Sequence, residues 1–216
     1  MTYGTVLGVD AGTASLREAD HLIHRLVDRL GLPAGTVACT HFIRTGTPHT
    51  AVSFTLPDGD VNKAAEAAEA AWRALTAPDG AAGADTTEHD PAGPGPWGVH
   101  LAGRSHGPAP LAAAAAQAAE EAAARTGGRA VVYPGVELLT GTVTVADVLA
   151  HTPITGLPVL GSPADERPAP AVEVLTRDHV RPEWRASRLV LPLVPAVDGR
   201  LAPFEVPNPT PCCADH

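Results

Sequence analysis

The 216-residue sequence predicts an α+β protein, with a ferredoxin-like (βαββαβ) N-terminal half packed with a β-rich, proline-rich C-terminal half. Three observations predict it. Hydrophobic periodicity over the first 75 residues reads strand, helix, strand, strand, helix, which is most of a split βαβ unit lacking only its fourth strand. The chain carries 22 prolines and 21 glycines, so its elements are short and heavily punctuated. Hydrophobic residues make up 44% of the chain but aromatics only 4%, so the core must be assembled from Val, Leu, Ile and Ala.

Thr5-Val6-Leu7-Gly8-Val9 reads as a short buried strand that ends in the acidic loop Asp10-Ala11-Gly12-Thr13. Ser15 and Glu18 have the spacing of a capping box, in which each side chain satisfies a free backbone N–H of the other's residue. Leu16, Ala19, Leu22, Ile23, Leu26, Val27 and Leu30 then recur at helical spacing until Gly31 and Pro33 stop the run. Arg17, His21, His24 and Asp28 fall opposite that stripe and are expected to be solvated, although His21, His24, Asp20 and Asp28 also have metal-ligand spacing.

Thr36 to Ile43 and Thr50 to Leu56 flank the turn Arg44-Thr45-Gly46-Thr47-Pro48-His49 and predict a hairpin. Asp60 is placed to cap a second helix over 61–75, with an apolar stripe of Ala64, Ala65, Ala68, Trp72 and Leu75. Trp97 to Leu101 is the one stretch of the following segment that could pair as a strand.

An alanine-dense helix over 111–125, ended by Gly127-Gly128, comes next, followed by a strand from Ala130 and a short helix capped by Thr144. Leu189 to Val194 and Leu201 to Val206 read as a hairpin or edge strands, because Pro192 and Pro203 cannot donate to a central ladder. The expected domains are therefore 1–76, a Gly/Pro/His-rich linker or lid over 77–110, a helix plus β-rich half over 111–206, and a tail over 207–216.

Composition narrows the function. The net charge is −9 and Lys63 is the lone lysine, which disfavours nucleic acid as a partner, since phosphate neutralisation needs clustered Lys and Arg. No apolar window long enough for a membrane span and no signal-peptide pattern occurs, and three cysteines cannot form a disulfide framework. A cytoplasmic protein without a membrane partner is the expectation, and exposed edge strands make a homodimer plausible.

The loop Gly8 to Thr13 is similar to the first phosphate loop of the sugar-kinase and actin-like ATPases, but that group runs on into a second strand where this chain opens a helix. Over residues 5 to 75 the order of strand, acidic loop, helix, strand and an Arg-Thr-Gly turn before Ala51-Val52-Ser53-Phe54 resembles the N-terminal region of the archaeal agmatidine synthetase family. That family modifies a cytidine of an isoleucine tRNA using ATP. The matching positions are Asp10, Thr13, Arg44, Thr45 and Gly46. Most of the family's acidic loop is missing at Ala11-Gly12, and neither a nucleic-acid-binding domain nor a four-cysteine zinc ribbon follows, so the resemblance implies a reduced relative acting on something small.

The residues themselves point to a small biosynthetic or modifying enzyme for a compact anionic molecule. Asp10, His49 and His106 are the candidate catalytic groups: Asp10 to accept a proton or hold a metal, and a histidine to act as acid or base. Thr13, Arg44 and Arg104 are the candidate substrate contacts, with Arg104 and His106 supplied by the lid. ATP or a divalent metal would be the cofactor, which the sequence leaves open. The alternatives are a metal-delivery protein using Cys212, Cys213 and His216, whose soft ligands suit zinc or copper(I), and a non-catalytic assembly partner. Cys39, inside a strand, reads as a core residue.

Overall fold

The computed structural model describes residues 4–77, 96–163 and 167–207. The chain is α+β and divides into two compact units, 1–133 and 134–216.

The first unit begins with β1 (Val6–Thr13), α1 (Leu16–Leu30), β2 (Val37–Ile43), β3 (His49–Thr55) and α2 (Val61–Thr76). It continues with β4 (Gly98–Leu101), β5 (Arg104–His106), α3 (Ala109–Ala124) and β6 (Arg129–Val132). The strands lie in the order β5-β4-β1-β3-β2-β6, each antiparallel to its neighbours.

Period-2 alternation gives the sheet two buried faces. Leu7, Val9, Ala38, Val52, Phe54, Val99 and Leu101 point to one side and form a single core with Ala19, Leu22, Ile23 and Leu26 of α1 and Ala64, Ala68, Ala71 and Leu75 of α2. Ile43 and Ala51 point to the other side and pack on Ala114 and Ala118 of α3.

Local chemistry explains the helix boundaries. Ser15 accepts from Glu18 N, and Glu18 Oε2 accepts in return from Ser15 N (3.1 Å) and Ala14 N (2.8 Å). Gly31 then ends α1 in the left-handed region at φ 56°. Within α1, Asp20 is buried and takes a two-pronged ion pair from Arg129 of β6 at 2.6 and 3.2 Å, while His21, His24 and Asp28 are exposed. Asp60 caps α2, whose buried stripe includes Ala71 and leaves Ala65 exposed.

Helix α3 departs from expectation in two ways. It stops within a residue of the expected end, but its cap is Arg125, left-handed at φ 52°, and not Gly127, because the Thr126 N–H closes onto the Glu121 carbonyl before Gly127 is reached. It also packs on β1, β3 and β4, so α3 and β6 belong to the first unit and not with the C-terminal half. The fit is tight enough that a Cβ on Gly8 would lie 2.0 Å from the Ala115 carbonyl oxygen, and one on Gly98 would lie 2.1 Å from the Leu111 carbonyl carbon.

The second unit holds β7 (Thr142–Thr144), α4 (Val145–His151), β8 (Ile154–Gly156), β9 (Glu173–Leu175), β10 (Glu183–Arg185), β11 (Arg188–Val190), β12 (Leu193–Pro195) and β13 (Leu201–Pro203). Thr144 and Asp147 form the capping box of α4. β10 and β11 form a hairpin, with β8 parallel to β11. A four-stranded sheet runs β12-β13-β9-β7.

The stretch 189–194 is thus not one strand. It breaks around Pro192 and divides between β11 and β12. β13 does pair with β12 as a hairpin, but it is an inner strand. Pro203 is tolerated there because it is the last residue of the strand and β9 meets β13 only at Leu201 and Val174. Among the described residues no helix is long and apolar enough to cross a membrane.

Candidate functional site

Strand β1 does not stop at Val9, as the sequence suggested, but runs through Thr13. Between the pairs Val9–Val52 and Thr13–Thr50 its register slips, so β1 bulges at Asp10-Ala11-Gly12. Alternation sends Asp10 away from the α1/α2 core to the α3 side, where its carboxylate is fully buried. Oδ1 accepts the Gly12 N–H at 2.9 Å and Oδ2 meets Nε2 of His49 at 2.8 Å. The other ring nitrogen, Nδ1, lies 2.8 Å from the Thr47 carbonyl oxygen.

The His49 side chain keeps 15% of its surface exposed, so this pair joins a buried anion to solvent. Burial is the largest influence on the ring and by itself lowers its pKa. The Thr47 carbonyl and the Asp10 carboxylate together outweigh it and leave the imidazole above its ordinary value.

No protein-family model, curated protein or solved structure matches this chain.

The remaining sequence candidates do not converge on this pair. Thr13 is buried and spends its hydroxyl on the Thr50 carbonyl at 2.6 Å, tying the bulge to β3. Arg44 is exposed in the turn, with its guanidinium 5.8 Å from the centre of the Phe42 ring. Phe42 pairs with Thr50 and therefore belongs to the α1/α2 side of the sheet, opposite to Asp10 and His49.

Arg104 and His106 are not parts of a lid. They lie in edge strand β5, where Arg104 pairs with Glu69 and stacks 4.7 Å from the Trp72 ring of α2. His106 meets the same ring edge-on at 6.5 Å. Cys212, Cys213 and His216 lie outside the described residues. Among the described residues no three or more His, Cys, Asp or Glu are grouped to hold a metal ion. The amides opening α1 are not an anion cradle beside Asp10, since Ser15 and Glu18 occupy that helix end.

A second polar assembly lies on the α3 face and had no counterpart in the sequence reading. His41 is buried between Ser53, whose Oγ is 2.8 Å from Nε2, and Glu121 of α3, whose Oε2 is 2.9 Å from Nδ1. Gln117 donates to the other Glu121 oxygen at 2.9 Å. The bond from His41 is the main reason the Glu121 carboxyl titrates below its ordinary range; partial burial opposes it and Gln117 assists.

Nδ1 donates to the carboxylate, so in the neutral ring Nε2 accepts from the Ser53 hydroxyl. This is the hydrogen-bond order of a serine–histidine–carboxylate relay, but Ser53 has no exposed surface. The assembly clamps α3 to the sheet. The signal in the sequence was a histidine and a serine at positions that alternation along β2 and β3 turns to the same buried face.

Proposed function

We propose that the first unit is a small enzyme whose working group is the Asp10–His49 pair, acting as an acid–base catalyst on a compact anionic molecule. One observation carries this reading: a wholly buried carboxylate holds one nitrogen of a partly exposed imidazole at 2.8 Å. The buried carboxylate fixes the ring and favours its protonated form. The partly exposed ring then presents positive charge at the protein surface, which suits a ligand bearing a carboxylate or phosphate.

We read the four strands β4-β1-β3-β2, with α1 and α2 on one face, as a ferredoxin-like unit extended by β5 at one edge and by β6 at the other. The resemblance to the agmatidine synthetase family belongs to the same proposal, as a relative reduced to a small substrate. In this chain Asp10 serves histidine chemistry instead of a metal, because both its oxygens already hold N–H partners.

A thermal-shift screen of phosphorylated metabolites, nucleotides and small carboxylates tests it. A ligand at about 100 times its Kd stabilises by about 2.7 kcal/mol. At about 2–4 °C per kcal/mol for a chain of this size, Tm rises by roughly 5–10 °C. His49→Gln should abolish that shift, whereas Glu69→Gln, on the opposite face, should retain it. A folded His49→Gln protein that binds every ligand the parent binds refutes the proposal.

A further inference from the structure

The two partners of His49 have a consequence beyond orientation. Nε2 faces a carboxylate oxygen and Nδ1 faces a backbone carbonyl oxygen, and neither atom can donate. Both hydrogen bonds exist together only while the ring carries two protons. A neutral ring keeps one N–H, and the partners are unequal: the Asp10 carboxylate is buried and charged, whereas Thr47 offers a neutral carbonyl in an exposed turn. A hydrogen bond to a charged acceptor is roughly twice as strong as a neutral one. A lone pair turned toward the buried carboxylate would also leave its Oδ2 oxygen without a donor, with only the Gly12 N–H remaining on Oδ1. The proton therefore leaves Nδ1, whose lone pair then faces the Thr47 oxygen and repels it.

We propose that His49 latches the turn formed by residues 44–48 while doubly protonated and releases it on losing the Nδ1 proton, baring Nδ1 as a base for substrate. The proposal rests on the acid–base reading for the use made of the bared nitrogen, but the latch itself rests only on the hydrogen-bond geometry.

Among the described residues, the groups neighbouring His49 are engaged elsewhere or apolar. Thr50, next to His49, is engaged through its carbonyl with Thr13. On β2, Ile43 pairs with His49, and His41 lies opposite Ala51 with both nitrogens engaged by Ser53 and Glu121. From α3, Ala114 and Ala118 pack on Ile43 and Ala51. Arg44, on the turn itself, stacks on Phe42 across the sheet. Elsewhere the turn projects into solvent: Arg44 through Pro48 are all exposed.

The test is performed on the full, ligand-free chain. Ring nitrogens are read by long-range proton–nitrogen NMR, with His49 assigned by its loss in His49→Gln, and exchange of the turn amides is measured at about pH 5 and about pH 9, on either side of the ordinary histidine value. After correction for intrinsic rates, the turn should exchange about tenfold faster at the higher pH, with Nδ1 the nitrogen that loses its proton.

Asp10→Asn gives a sharper outcome. Its carbonyl can accept from Gly12 and its amide can donate to Nε2, so a neutral ring keeps Nδ1–H on Thr47 and the turn stays closed at both pH values. His49→Gln should leave the turn open at both. Equal corrected exchange in the wild type, loss of the Nε2 proton first, or a wild-type pH response in Asp10→Asn overturns the latch. The wild-type measurements decide it even if a variant does not fold. Ligand binding is not measured, so failure here leaves the acid–base reading standing, and failure of the ligand screen leaves the latch standing.

Discussion

Replacing His41 with alanine should be among the most damaging single changes in the first unit. The imidazole is buried and makes two bonds, one to the Ser53 hydroxyl and one to the Glu121 carboxylate. Losing a hydrogen bond to a charged group costs about 1.5–3 kcal/mol, and a buried hydroxyl left without a partner costs about 1–3 kcal/mol. A ring-sized void beneath α3 adds to this. About 4 kcal/mol is the central expectation, which at about 2–4 °C per kcal/mol lowers Tm by roughly 8–16 °C.

Urea denaturation followed by far-ultraviolet circular dichroism measures the change, and a double-mutant cycle locates it. Ser53→Ala alone should cost about 1 kcal/mol. In the His41→Ala background the same change should cost nothing or stabilise, because it removes the orphaned hydroxyl. The Glu121 carboxyl titrates below its unfolded value of about 4.3, so its contribution is complete above that value and disappears as pH falls through the folded one. The margin of wild type over Glu121→Gln should accordingly shrink in acid. A loss below about 1 kcal/mol for His41→Ala, or strict additivity with Ser53→Ala, would refute the clamp.

Gly8→Ala should destabilise by more than the about 1–3 kcal/mol usual for overpacking, because the new methyl meets the backbone of α3 and not the end of a movable side chain; the urea midpoint reports it. Ser15→Ala removes the cap of α1 and should cost about 1 kcal/mol, measurable as a fall in Tm of roughly 2–4 °C.

What could be read in advance divides by the range of the interaction. The Ser15–Glu18 box, the Asp60 and Thr144 caps, the β2–β3 hairpin and the pairing potential of Trp97 to Leu101 rest on residues a few positions apart, and all are present. The docking of α3 was hidden because alanine lines nearly its whole circumference, so no apolar stripe announces which side meets the sheet. Its complement, the glycines of β1 and β4, looks like ordinary punctuation in a glycine-rich chain.

Within the candidate site, Asp10 and His49 were legible only as separate candidates, one in an acidic loop and one in a turn. What joins them is β1–β3 pairing and a bulge. Alternation along β2 and β3 could have shown that Arg44 stacks with Phe42 on the face opposite His49. Ser53, His41 and Glu121 are separated by 12 and 80 positions, distances over which no local spacing rule operates.

Away from the His41–Glu121 clamp and Ile43, the contact between α3 and the sheet is largely alanine methyl, glycine and main chain, which have no rotamers to lose. Docking that part of the helix therefore freezes little side-chain entropy, and equally it cannot soften by side chains hopping between wells. Heating must leave the surface seated until the helix lifts away as one body. The floor under Asp10 and His49 is thus all-or-none, and adjustment around them is left to the exposed bend above.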